Sequence, residues 1–585
     1  MNWLRQLYKY CLYPVSTNRI FYLCMLFLAL ILTIVSNIGM SNDIFLALLI
    51  PLWGAYLYCV VASLLRPIRL HWVVWIVAIL LWLTEIFSVL FYSSLISIRL
   101  VKLILETDTR EASEFLSGLW AMPALWISLA CGAAAFLLAK GATILWPRIH
   151  KTVRKVLIGL FCVCTIWSAL RAEHSYIKLI RCFSLESVAQ LNEERYMPCL
   201  RTPTIRFVYG IAYTVVTVRE YTILVPSVEQ TKVDSCTFRS PCIVLVIGES
   251  FNKYHSPLYN PSSLPTTPNL CRLRDEGQLY LFSDVVTQSN LTAQVMQNML
   301  STWSDDEPDN WMHHTLFPAV FRKAGYDVYY WSNQFVPTSG GVISHLGGAL
   351  VNHPDLARFQ FTARNSRDYT YDSGLNADLR TFLADSLGGT LPRPSLFIVH
   401  YMGQHVRYAD RYPSDFDHFQ ADSLTPGYGG AYGCEIRAQY ANATLYHDHC
   451  LNELWSLFAD RDAVVIYLSD HGEECYDYRN FYERSDQNNL TPQMAHYQFE
   501  IPFFMLVSDA FRVNHPDLVE QIRAAQDKPF VIRDMCHMLF SLAGIAMSDY
   551  RADRDLLSPE YDTARRRIIA DGKDYDLLIS ELDNN

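Results

Sequence analysis

With 585 residues the chain exceeds what one hydrophobic core organises, so two or three domains are expected. Half of it is apolar (51%), aromatics reach 13%, charged residues only 18%, and mean hydropathy is +0.10, which is too apolar for a wholly water-soluble enzyme. A net charge of −10 supplies no basic field for nucleic acid, and the 15 cysteines contain no CxxC pair, which excludes zinc-ribbon and thioredoxin-type motifs.

In chain order, residues 1–19 hold Arg5, Lys9 and Arg19 and no acid, and no small-residue cleavage site follows, so the first apolar run reads as an anchor rather than a removable signal peptide. Five apolar segments come next, at 20–40, 44–65, 72–92, 118–139 and 153–170. Each has about 18 to 22 residues, enough to cross a hydrocarbon core at about 1.5 Å per residue. Arg66 and Arg69 after the second segment, and Lys140, Arg148, Lys151, Arg154 and Lys155 around the junction of the last two, mark cytoplasmic loops. An inside N-terminus and an odd number of spans place everything after residue 170 outside the cytoplasm, which in a bacterium is the periplasm. Residues 204–221 have an apolar run of only about a dozen residues between Arg206 and Arg219, which favours a helix lying on the bilayer surface over a sixth span.

From residue 241 short apolar strands (242–247, 327–331, 395–400, 464–468, 501–507) alternate with helical stretches (312–324, 377–386, 435–458, 532–542), the pattern of one large α/β domain with a mainly parallel sheet. The expected organisation is a transmembrane helical domain over 1–170, a linker with the surface helix over 171–240, a catalytic α/β domain over 241–555 and a charged peripheral tail over 556–585. Nine cysteines follow the last span. An extracytoplasmic location permits disulfides; Cys236 with Cys242 and Cys434 with Cys450 are candidate pairs by sequence proximity, and the connectivity stays open.

Two of the strands end alike. Ile243 to Ile247 runs into Gly248-Glu249-Ser250, and Val464 to Leu468 runs into Ser469-Asp470-His471-Gly472-Glu473. Buried parallel strands carry chemistry at their carboxyl ends, and side by side these two would gather Glu249, Asp470 and His471. Two carboxylates and one imidazole suit Zn²⁺ or Mn²⁺, with a fourth position open. Thr292 stands at the start of a helix after a polar turn. By itself it reads as a capping threonine, or as a nucleophile whose phosphate ester the helix N-terminus would stabilise. Glu473 reads alone as a turn cap, and Glu249 alone as an acid near a helix N-terminus.

The segments VIGES (246–250), NLTAQV (290–295), VHYMGQH (399–405) and YLSDHGEE (467–474), in this order after a five-span anchor, resemble the lipid phosphoethanolamine transferases. The resemblance covers nearly the whole chain. Its metal motifs belong to the wider superfamily, and the anchor with the segment ETDTREASEFL (106–116) narrows it. It implies a periplasmic domain of alkaline phosphatase and sulfatase-like fold on an inner-membrane bundle of about five helices. It also implies zinc on Glu249, Asp470, His471 and Thr292, one site being expected and a second left open, with Mn²⁺ less favoured. Thr292 would take phosphoethanolamine from phosphatidylethanolamine and pass it to a lipopolysaccharide acceptor on lipid A or the core. His405 is implied at the substrate phosphate, and Glu473, His496 and Asn333 as substrate contacts; a monomer is expected. The sequence departs from the family at the nucleophile's helix, where Gln288 and Asn298 stand at positions often bridged by a disulfide. The family's GSHGP reads Gly403-Gln404-His405-Val406-Arg407 here, so which acceptor group on the lipopolysaccharide, lipid A or core, stays open. A glycerol-phosphate transferase of the lipoteichoic-acid-synthase kind and a non-catalytic membrane sensor are the alternatives. The missing C-x-P-S-R signature disfavours sulfate-ester hydrolysis.

Overall fold

The computed structural model describes residues 11–35, 44–92, 95–96, 100–101, 104, 109–183, 202–307, 311–336, 348–485, 487 and 490–583. Cys199, the end of the first expected span and part of the 106–116 segment therefore lie outside the described residues. Compactness divides the chain into two units, Met1–Glu220 and Tyr221–Asn585.

The first unit is helical: α1 (Arg19–Val35), α2 (Ile44–Leu65), α3 (His71–Tyr92), α4 (Pro123–Leu145), α5 (Lys151–Cys182) and the first part of α6 (Pro203–Glu229). Helices satisfy their backbone groups internally, the requirement for chain that is to sit in lipid. Phe21, Met25, Leu28, Cys59, Trp82 and Ala135 are buried between them. Where five spans were expected, three helices among the described residues are long and apolar enough to cross a membrane, with a fourth if the bent pair Cys11–Thr17 and Arg19–Val35 counts as one. The expected surface helix is longer than the sequence suggested, and it has a buried face: Tyr209, Ala212 and Val216 pack with Leu179 and Cys182. Arg206 on it pairs with the fully buried Glu85 of α3.

The second unit is built on a seven-stranded sheet: β1 (Cys242–Gly248), β2 (Leu279–Phe282), β3 (Asp327–Ser332), β4 (Ala363–Arg364), β5 (Ser395–His400), β6 (Ala463–Ser469) and, after the small two-residue strands β7 (Glu474–Cys475) and β8 (Tyr482–Glu483) of a separate hairpin, β9 (Phe503–Val507). The spatial order is β2-β9-β6-β1-β5-β3-β4, parallel throughout except that β9 runs against both its neighbours. The central strand β1 is apolar at every position because both its faces are covered. Ile243, Leu245 and Ile247 enter one hydrophobic cluster, and Cys242, Val244 and Val246 enter the other.

Two expectations for this unit need correction. Cys236, Cys242, Cys434 and Cys450 carry free thiols. Cys434 and Cys450 share the helix α8 (Gly430–Ser456); their separation along it is about 24 Å at 1.5 Å per residue, far beyond the roughly 7 Å that a disulfide tolerates between Cα atoms. The segment after residue 555 is built into the domain rather than peripheral: Leu556 and Leu557 join the main core, and Ile569 and Tyr575 are buried. Its charges are paired, Arg565 with Asp305 and Asp534, and Arg567 with Asp284 and Asp576.

That attachment converges on Glu500, which lies 2.6 Å from Lys253 Nζ and 2.9 Å from His496 Nδ1 and accepts from Tyr575 Oη at 2.6 Å. Burial alone would raise Glu500, but His496 and Lys253 outweigh it and hold the carboxyl well below its ordinary 4.5. Because the folded pKa lies below the unfolded one, this stabilisation is full above about pH 4.5 and is lost as the pH falls toward the folded value. Replacing Glu500 with Leu leaves Lys253 buried and unpaired and should cost about 3 kcal/mol at neutral pH. Denaturant unfolding of the full chain in detergent at pH 7 and pH 4 measures it, and the gap between wild type and variant should narrow at the lower pH.

Candidate metal centre and active site

The register of β1 and β6 makes the site. Ile247 lies opposite Leu468 and Gly248 opposite Ser469, so the next residues, Glu249 and Asp470, emerge side by side. Gly248 is required there because a Cβ would stand 2.1 Å from Tyr467 Oη. Asp470 N–H donates to Gly248 O at 3.0 Å, and Asp470 Oδ1 accepts from the backbone N–H groups of Ser250 (3.1 Å) and His471 (2.7 Å). Ser250 reaches that bond only by taking φ +58°, a left-handed conformation costly for a residue with a Cβ.

His471 is oriented through its other nitrogen. Nδ1 lies 2.8 Å from Gly472 O, a carbonyl that accepts only, so Nδ1 carries the proton and Nε2 presents its lone pair. That lone pair is 3.2 Å from Glu249 Oε1 and 3.2 Å from Asp470 Oδ2. The three side chains are fully buried, and their ligand atoms lie within 4.8 Å of one another. Thr292, the first residue of α7 (Thr292–Leu300), donates its hydroxyl to Glu249 Oε2 at 3.0 Å. The turn before it is fixed by Asn290 Nδ2, which donates to Gln498 Oε1 at 2.7 Å and Ser485 O at 2.9 Å.

The electrostatics favour a cation. Burial and the neighbouring Glu249 charge push Asp470 well above the ordinary carboxylate value. For Glu249 burial acts the same way, but His471, His405 and Arg484 outweigh it and hold the carboxyl well below that value. Two carboxylates this close and this buried stay ionised together only with positive charge between them. Asp470 Oδ2 and Glu473 Oε2 are buried with no hydrogen-bond partner. The donor set, two carboxylates, an imidazole lone pair and a hydroxyl, therefore fits a divalent cation such as zinc.

The remaining expected residues divide. The loop carrying His405 packs on Glu249: Gln404 N–H donates to Glu249 O at 3.0 Å, and a Cβ at Gly403 (φ +49°) would stand 2.8 Å from that oxygen. Burial lowers His405 to about 4 despite Glu249, so its imidazole is neutral at neutral pH, as is that of His400 at the end of β5, also lowered to about 4 by burial. Glu473 is buried, accepts from Tyr408 Oη at 2.8 Å and is pushed up to about 7 by burial. Asn333 does not face the cluster. Its amide donates to Asp372 Oδ1 at 2.8 Å and its oxygen accepts from Tyr369 N–H at 2.7 Å, so it braces a loop. His496 is likewise committed elsewhere, 2.9 Å from Glu500 and stacked on Tyr254 at 4.2 Å between ring centroids.

Two contacts to the cluster come from residues that sequence reasoning undervalued or missed. Gln334 Nε2 donates to Glu249 Oε2 at 2.9 Å and to Tyr401 O at 2.9 Å. Arg484 Nη1 lies 2.9 Å from His471 Nε2. Since Gln334 fixes the rotation of Glu249, Gln334→Leu should weaken metal affinity by about 10- to 100-fold, read by chelator competition, with little change in unfolding midpoint.

The sulfatase family profile matches residues 241–545, which covers more than half of the chain. The chain belongs to the sulfatase family. This sulfatase-family chain lacks the C-x-P-S-R signature. It is 25% identical over 524 residues to the phosphoethanolamine transferase EptC of Escherichia coli O18:K1:H7, covering 86% of this chain and 85% of that protein. Among solved structures, the zinc complex of the C-terminal periplasmic domain of E. coli EptC superposes with a TM-score of 0.50 at 26% identity, over 59% of this chain and 95% of that one. The integral membrane lipooligosaccharide phosphoethanolamine transferase A of Neisseria meningitidis aligns over 91% of this chain and 95% of its own, with a TM-score of 0.58 at 19% identity. That likeness carries the two-part fold, membrane helices followed by a sulfatase-like α/β domain.

Proposed function

We propose that this chain is a multi-pass inner-membrane enzyme whose periplasmic domain moves phosphoethanolamine from phosphatidylethanolamine to a lipopolysaccharide acceptor, on lipid A or the core, by way of Thr292. The observation that carries the reading is the Thr292 hydroxyl on Glu249 Oε2 at 3.0 Å, at the N-terminus of a helix and beside the Glu249, Asp470 and His471 cluster. The relatives' shared name, phosphoethanolamine transferase, supports the transferred group.

Glu249, Asp470, His471 and Thr292 would hold one zinc ion. A divalent cation there lowers the pKa of the threonine hydroxyl and offsets the negative charge on phosphoryl oxygens. Thr292 Oγ forms a bond to phosphorus, the bond from phosphorus to the glycerol oxygen breaks, and diacylglycerol leaves with a proton. The first N–H groups of α7 point at the phosphate ester so formed. His405, whose Nδ1 lies 3.3 Å from Val406 O, presents Nε2 to the substrate phosphate and donates to a phosphoryl oxygen when that nitrogen is protonated. Glu473, poised near 7, accepts the ammonium end of the headgroup, whose positive charge favours the ionised carboxylate. An acceptor hydroxyl oxygen then bonds to phosphorus, the bond from phosphorus to Thr292 Oγ breaks, and Thr292 takes up the proton that the acceptor gives. Positioning and charge neutralisation are what phosphoryl transfer asks of a protein.

The test compares lipopolysaccharide masses from cells expressing wild type and Thr292→Ala. Wild type should add the mass of a phosphoethanolamine group and the variant should not. No added mass with wild type would remove the acceptor assignment, and added mass from phosphatidylglycerol instead would remove the donor.

A further inference from the structure

The site holds many acids. Glu249, Asp470 and Glu473 are buried around it, and Glu483 adds a fourth carboxyl close enough to Glu473 for the two charges to repel. A phosphodiester anion entering this pocket needs positive charge of its own to lean on. Among the described residues, the permanent cation whose hydrogen bond ends on the cluster is Arg484, 2.9 Å from His471 Nε2.

The chain makes a specific detour to put it there. Three residues after His471 the backbone enters β7, turns, and returns as β8, with Tyr482 opposite Cys475 and Glu483 opposite Glu474. The hairpin is closed by Tyr476 N–H on Phe481 O at 2.9 Å and by stacking of Tyr476 on Tyr482, 5.6 Å between centroids. Arg479 grips Glu474 with two bonds of 2.6 Å at the base. Glu483 then adopts φ +78°, a left-handed conformation that a non-glycine residue takes only under constraint, immediately before Arg484. Strain held next to a side chain that reaches the Glu249, Asp470 and His471 cluster points to a positioned group.

We propose that Arg484 is a further catalytic residue, whose guanidinium donates to the non-bridging oxygens of the transferring phosphoryl group. This rests on the phosphoryl-transfer reading given above. His471 Nε2 has one lone pair. When that pair serves a cation, the Arg484 N–H groups lose their acceptor and lie within reach of the anion bound beside it. A planar fork of N–H donors matches phosphoryl oxygens as a lysine point charge does not. The competing account is that Arg484 only balances the charge of the buried carboxylates.

Full-length protein in detergent, loaded with zinc, is given phosphatidylethanolamine and followed by single-turnover mass measurement of Thr292 modification and by steady-state transfer to lipopolysaccharide. Arg484→Gln and Arg484→Ala should slow both by about 10²- to 10³-fold, mainly in kcat, with bound zinc per chain and unfolding midpoint near wild type. Arg484→Lys should recover part of the rate, and free guanidinium ion should restore Arg484→Ala but not Thr292→Ala. Wild-type rates in Arg484→Gln, loss of rate only in proportion to loss of zinc, or tighter zinc binding with unchanged transfer would each overturn the proposal. If wild type transfers the group without ever modifying Thr292, the nucleophile reading fails, and the transfer rates of the Arg484 variants still decide for or against the clamp.

Discussion

Thr292→Ala should abolish transfer, lowering kcat by roughly 10⁴-fold or more, because removing a nucleophile leaves only binding and electrostatic assistance. Thr292→Ser keeps an oxygen at the same place on α7 and should retain measurable transfer. The difference separates a chemical from a structural role. Thr292 donates its hydroxyl to Glu249 at 3.0 Å, a contact serine reproduces and alanine does not, and neither change disturbs the buried apolar face of the helix at Val295, Met296 and Met299. Intact mass after brief exposure to donor should show phosphoethanolamine on wild type and Thr292→Ser and none on Thr292→Ala. Equal modification of all three would place the covalent step elsewhere.

Asp470→Asn should remove metal binding and at the same time stabilise the metal-free protein. The folded state holds the Asp470 carboxyl well above its ordinary value, through burial first and Glu249 second. A raised acid pKa means that the folded state binds the proton more tightly than the unfolded chain, so the metal-free protein should gain stability as the pH falls through the raised value, and lose it above. Asparagine carries no charge to desolvate and flattens that dependence. The measurements are zinc per chain and the unfolding midpoint with and without chelator between pH 6 and 9. In the presence of zinc the order reverses, because only wild type gains the binding free energy. A variant that still binds zinc stoichiometrically would count against Asp470 as a ligand.

Much of this centre was legible because Glu249, Asp470 and His471 sit within two residues of the ends of apolar strands, and β1 and β6 are recognisable from their apolar runs, Ile243 to Ile247 and Val464 to Leu468. The sheet's one reversal, β9, has the same apolar look as its parallel neighbours, and only its pairing against β6 and β2 reveals direction. Side-chain direction past a strand end was not legible. Asn333 and Gln334 follow β3 in succession, yet one braces Asp372 and the other reaches Glu249. The resemblance implies His496 as a substrate contact, but just past the end of its helix, Pro492–Phe499, the residue four positions on is Glu500, and that acid captures it. Arg484 had no sequence signal at all, since strands of two residues have no periodicity to read. In the helical unit, composition gave apolar lengths, but the bend between Cys11–Thr17 and Arg19–Val35 is a matter of packing that hydropathy does not report.

The side-by-side emergence of Glu249 and Asp470 joins positions more than two hundred residues apart along the chain, as the Ser250 to Asp470 hydrogen bond with its separation of 220 shows. Loop closure over that length comes late in folding. A nascent or truncated domain that ends before β6 therefore presents one carboxylate and no chelate, and it has no means of scavenging zinc from its surroundings. Metal capture would therefore report that the chain has been made past His471 and that the two middle strands have paired.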